Sequence, residues 1–317
     1  MVHFFFQYSV PPTIMPINLH KLPKEVILEV LRNVEFREII LYSLLSTNSK
    51  KNVTSLNYKA YTMKMSFASH SLTIRFIFVD PILNRLLKLE IPKDGLFIDK
   101  KLPEGVEMSG DGLIAVEFCS TGERKIGEVV EHFSRMFHCS ERKQMDFHTN
   151  QKLFKPSQIL QHFGNPSTLT IFGDDEVENS EILETFTRVD TLYLPRKDQD
   201  LQKILIRNFN CLDYGFLGPV PLSLEDLLCV NAKSFTAMEA QISQRDTNRF
   251  FKLWIAGSNS RLVHMEIQLW QQVLNPEVII KGIPYVAIPE DVERVVESSA
   301  EVLKGQRIQG GFDIFRN

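Results

Sequence analysis

The chain has 317 residues, 44% of them apolar and 24% charged, and its 36 basic side chains nearly balance 39 acidic ones. That size and apolar content predict about two domains with cores that stand without disulfides. Balanced charge with no Lys/Arg block excludes the electrostatic footprint of a nucleic-acid binder. No stretch reaches the roughly 20 apolar residues that a membrane-spanning helix needs.

The cysteines Cys119, Cys139, Cys211 and Cys229 form no C-x-x-C pair and no metal-spaced cluster with histidine, which fits reduced thiols in the cytoplasm or nucleus. Residues Met1 to Val10 lack the cationic start of a secretory signal, and Pro11-Pro12 ends their apolar run. Residues 1–15 therefore read as a disordered leader, with Met15 as the expected natural start. Asn52-Val53-Thr54 has the glycosylation-acceptor pattern, but without a secretory context it reads as an ordinary helix-edge triplet.

From Ile17 to Tyr58 the apolar residues take helical spacing. Pro23 sits where a first-turn proline is tolerated, since its missing N–H would be unpaired there anyway. Val26, Ile27, Val30, Leu31 and Val34 then form one stripe, opposite Lys24, Glu25, Glu29 and Arg32. Phe36 to Leu45 repeats the pattern with Ile39, Ile40, Leu41, Leu44 and Leu45, and Ser49 is the expected cap of a third helix running through Tyr58. Three short helices within about forty residues make too small a core to stand alone. Their apolar surplus needs cover, either from the rest of the chain or from another protein's helices.

Beyond Phe67, period-two alternation takes over. Leu72, Ile74, Phe76 and Phe78, then Leu87, Leu89 and Ile91, then Leu113 to Phe118 predict a small antiparallel sheet over 67–120, with turns at Lys93-Asp94-Gly95 and Gly110-Asp111-Gly112. Ile126 to Phe137 returns to helical spacing. From there strand-like runs centre on Phe147, Leu169–Phe172, Thr191–Leu194, Cys211–Tyr214, Ser234–Ala237 and Leu262–Ile267. Their separation is roughly one leucine-rich repeat of 20 to 29 residues. Helix-like segments lie between them: Pro156–Phe163, Val177–Phe186, Gln199–Ile206, Leu222–Leu228 and Arg245–Ile255. Strand, helix, strand at this spacing predicts an α/β fold over 126–317, an irregular solenoid with a mainly parallel, curved sheet. The best-marked unit opens with Ser243 and Asp246 as an S-x-x-D cap and ends at Gly257, with Phe250, Phe251 and Trp254 on its buried stripe.

No P-loop, G-x-G-x-x-G, G-x-S-x-G or H-E-x-x-H motif is present. Asp174-Asp175-Glu176 follows a strand and precedes a helix, so it reads as a helix cap rather than a metal site. His138 beside Cys139 is no catalytic dyad, because neighbouring helix positions diverge. Neither catalysis nor a cofactor or metal is expected.

Leu22-Pro23-Lys24-Glu25-Val26-Ile27-Leu28-Glu29-Val30-Leu31, followed by Phe36-Arg37-Glu38-Ile39-Ile40 and Leu44-Leu45-Ser46, resembles the F-box, here over residues 16–60. The resemblance implies docking to the Skp adaptor of an SCF-type ubiquitin ligase through Leu22, Pro23, Val26, Ile27, Val30, Leu31, Ile39 and Leu45. Thr247 to Leu262, with Lys281-Gly282-Ile283-Pro284-Tyr285 and Gly310-Gly311-Phe312-Asp313-Ile314, is similar to the type 2 F-box-associated domain abundant in nematodes, here over 67–317. Ile182-Leu183-Glu184 and Asp190 to Leu194 match the start of that domain. Together the resemblances imply a non-catalytic receptor that links a protein substrate, through the adaptor, to cullin and RING subunits. An interaction module that promotes no ubiquitination is the alternative, and neither nucleic acid nor membrane is an expected partner.

Overall fold

The computed structural model describes residues 19–68, 71–78, 86–92, 106–108, 116–118, 126–139, 143–149, 155–173, 175–195, 201–215, 217–270, 273–295 and 307–315. The leader, Cys119, Asp174 and the run Leu113–Ala115 lie outside them. Pro23 takes φ −55° and ψ 148° and starts helix α1, Lys24–Asn33, its carbonyl accepting from Ile27 N (3.0 Å). Helix α2, Phe36–Leu45, ends as Ser46 turns extended, and the Ser46 hydroxyl accepts from Ser49 N (3.1 Å) to start α3, Thr47–Thr54. The cap is thus Ser46 rather than the expected Ser49, and the helix stops short of Tyr58. One extended residue closes α2 and opens α3, which leaves Ser49 inside the helix and buried.

Strands β1 (Ala60–Phe67), β2 (Ser71–Phe78) and β3 (Leu86–Pro92) form an antiparallel meander. β4 (Val106–Met108) and β5 (Val116–Phe118) form a separate two-stranded pair. After α4 (Ile126–Met136) comes the repeating part: β6 (Lys143–His148), α5 (Pro156–Phe163), β7 (Thr168–Phe172), α6 (Glu176–Thr185), β8 (Thr191–Leu194), α7 (Leu201–Leu205), β9 (Cys211–Tyr214), β10 (Val220–Pro221), α8 (Leu224–Cys229), β11 (Ser234–Gln241), α9 (Gln244–Ile255) and β12 (His264–Leu269). α10 (Pro276–Ile279) and the hairpin of β13 (Val286–Val295) and β14 (Arg307–Asp313) follow.

The expected small antiparallel sheet is not a separate body. β1 pairs in parallel with β6, so the meander is one edge of a ten-stranded sheet that continues in parallel through β7, β8, β9, β11 and β12. The joining strand begins upstream of the first alternating run, where Met63 and Met65 supply the core face and methionine is a weak strand signal.

Strands that follow one another across a parallel sheet with crossovers of one hand put their helices on one face. The packing agrees: α5 meets α6, α7 meets α8 and α8 meets α9. Beneath them lies a continuous core built from alternate strand residues, among them Met145, Leu169, Leu192, Leu212 and Phe235, with Ile159, Ile182, Leu205, Leu227 and Phe250 from the helices. Asparagine amides tie successive turns together. Asn231 Nδ2 donates to Ile206 O (3.2 Å), and Asn259 Nδ2 donates to Leu227 O (2.9 Å) and Val230 O (2.8 Å). Gly215 takes φ +85°, and a β-carbon there would sit 2.8 Å from Val220 and 2.9 Å from Met238 O, so only glycine fits.

Candidate protein-binding surfaces

The helical module is fastened to the meander end of the sheet. Phe36 packs edge-on against Phe78 (5.5 Å) and Tyr58 (5.9 Å) and stacks on Phe137 (5.9 Å), which itself meets Phe78 at 4.8 Å. Ser43 Oγ donates to Ile40 O (2.7 Å) and lies 3.0 Å from His132 Nε2 of α4. This packing divides the apolar stripe. Ile27, Leu31 and Ile39, only 6%, 2% and 1% exposed, belong to the chain's own core, which corrects the expectation that they are accessible docking contacts. Pro23 and the 44%-exposed Val26 face solvent with Leu45, while Leu22 and Val30 are half-buried. α1 packs against α3 and buries Ile27 and Leu31, while Val26 on the same helix stays in solvent.

The second surface is the sheet face turned away from the helices. Registers carry one row of polar side chains across it: Ser66 beside Asp146, then Thr170, Tyr193, Asp213, Thr236 and Glu266. At the Asp146 position the row is electrically complete. Lys64 Nζ reaches Asp146 Oδ2 at 2.8 Å, Ser66 Oγ donates to the same oxygen (3.3 Å), and Gln144 Nε2 donates to Oδ1 (3.1 Å).

At Asp213 it is not. This carboxylate is 7% exposed and its Oδ1 has no hydrogen-bond partner. Burial, with the negative charge of Glu266, pushes its pKa up to about 6. His264, two residues before Glu266, is pulled below the usual imidazole range by burial, against the opposing pull of Glu266. Sequence reasoning named neither Asp213 nor Glu266. The available signal was an aspartate inside a strand between Leu212 and Tyr214, a position where Asp is depleted.

The other motif residues are structural. Asp175 caps α6 by accepting from Glu178 N (2.9 Å). Burial raises the Cys139 thiol to about 11, with Lys143 opposing, which keeps it protonated at neutral pH. Asn52 Nδ2 donates to Tyr42 Oη (3.1 Å) from within α3. Ser243 accepts from Asp246 N (3.1 Å) and caps α9, while the fully reciprocal capping box lies one repeat earlier, at Ser223 and Asp226. Asn248 donates to Ile279 O (2.8 Å) and Lys281 O (3.0 Å), so two of the blocks carrying the second resemblance, Thr247–Leu262 and Lys281–Tyr285, meet in space. Among the described residues no group of three metal-ligating side chains occurs, and no helix is long and apolar enough to cross a membrane.

Residues 200–267, from α7 through most of β12, match the protein family described as F-box associated. No curated protein and no solved structure matches the chain.

Proposed function

We propose that the chain is the substrate-recognition subunit of an SCF-type cullin-RING ubiquitin ligase. In this reading the helices α1 to α3 are an F-box that docks onto the Skp adaptor, and the strand and helix body captures a target protein. The observation that carries it is the match of residues 200–267 to the F-box associated family. The exposed Pro23, Val26 and Leu45, with the half-buried Leu22 and Val30, agree with it, since apolar side chains left in solvent and rimmed by charge mark a protein contact. The buried Ile27, Leu31 and Ile39 support those contacts from beneath.

The subunit makes and breaks no bond. It holds the target close to the reactive thioester of the recruited conjugating enzyme and so raises effective concentration. The aromatic packing of Phe36 on Phe78 and Phe137 joins the helices to the body in such a receptor. Its place is the cytoplasm or nucleus, where its thiols stay reduced.

Co-expression with a Skp-type adaptor tests the reading: a stable complex is expected, and failure of the folded chain to retain the adaptor overturns it. Ubiquitin transfer to a captured target in a reconstituted ligase separates the receptor from the alternative, a binding module that docks on partners without promoting ubiquitination.

A further inference from the structure

Asp146 and Asp213 stand in the same transverse row of the sheet, linked through Thr170 and Tyr193. Both are buried, and among the described residues only Asp146 has a cation beside it, Lys64 at 2.8 Å. Among the described residues no cation is paired with Asp213. Its own strand contributes Cys211, β8 contributes Tyr193, β11 contributes Thr236, and β12 contributes His264 and the acidic Glu266. A buried carboxylate with an empty oxygen and an acidic neighbour is an unbalanced charge, costly unless a cation completes it.

We propose that Asp213 and Glu266 form a subsite for a cationic side chain, lysine or arginine, presented by the target protein. The inference rests on the target-receptor reading and names the target chemistry at one point of the body. Glu266 and Tyr193 are half-buried and flank the row, whereas Asp213 Oδ1 is itself closed to solvent, so an incoming alkyl stem has to part these side chains to bring its charge there. Thr236 lies between the two carboxylates, its strand about 4.8 Å from each neighbour. The incoming group repeats for Asp213 what Lys64 does for Asp146.

The test uses the full chain and Nα-acetyl-lysine amide, followed by the Asp213 carboxyl and Thr236 amide NMR signals, with Nα-acetyl-norleucine amide as the neutral control. Saturable shifts are expected from the lysine compound alone. Because the cation requires the ionised carboxylate, and Asp213 titrates at about 6, binding should weaken about tenfold between pH 7.5 and pH 5. Asp213→Asn should abolish it. Glu266→Gln, at a more accessible position, should weaken it and lower the Asp213 titration midpoint, which keeps the test decisive should Asp213→Asn fail to fold. Binding that is absent, independent of pH, or matched by the norleucine compound overturns the proposal. So does a stronger response to calcium chloride, which assigns the pair to a metal. None of these outcomes touches adaptor capture, so failure here is distinguishable from failure of the receptor reading.

Discussion

The two sides of the opening helices are made of the same residue types and have opposite fates. On one side Ile27, Leu31, Phe36 and Ile39 are sealed against the module's own helices and the end of the sheet. On the other, Val26 and Leu45 stay in water at 44% and 39% exposure. Hydrophobic pattern alone does not say which apolar residue is glue within a chain and which is held for a partner. That is decided by which positions the fold happens to cover.

Substitutions should break this comparison unequally. Phe36→Ala removes the ring that meets Tyr58, Phe78 and Phe137, and should cost about 3–5 kcal/mol in denaturant unfolding. A smaller loss would mean that the module is not anchored through that cluster. Leu31→Ala, at a site 2% exposed, should cost about 2–4 kcal/mol by the same measurement. Any weakening of adaptor binding it causes should follow from unfolding rather than from a lost contact. Ser43→Ala deletes a hydroxyl shared between Ile40 O and His132, and a loss of about 1 kcal/mol is expected. Val26→Asp should change stability by about 0.5 kcal/mol or less, since the position is exposed and an acidic residue suits the first turn of a helix. A large destabilisation there would place Val26 in the core and erase the distinction between the two sides.

Much of the fold was legible in the sequence. The segments Pro156–Phe163, Thr191–Leu194 and Cys211–Tyr214 were read with the boundaries the structure gives them. They are short, and it is their recurrence at the repeat spacing between turn residues, more than their own periodicity, that marks them. β1 was missed because its core face is methionine and because the preceding helix was expected to run on through Tyr58. The pair β13 and β14 went unread because β13 carries Pro289, Glu290, Asp291 and Glu293, a charged edge with little alternation. The docking surface was half legible. The stripe on α1 is a property of one helix, whereas the burial of Leu31 and Ile39 depends on how the elements pack together. Asp213 and Glu266 lie 53 positions apart and become neighbours across Thr236 only through two parallel registers, which no local pattern encodes.

The most direct test of the account is the affinity of a Skp-type adaptor for the intact chain and for its Val26→Asp and Val30→Asp variants, each first checked for an unchanged unfolding transition. The account predicts a stable wild-type complex and a loss of about 2 kcal/mol or more, roughly thirtyfold, when charge enters at either position. Equal affinity in the folded variants, or no complex with the wild-type chain, would contradict it.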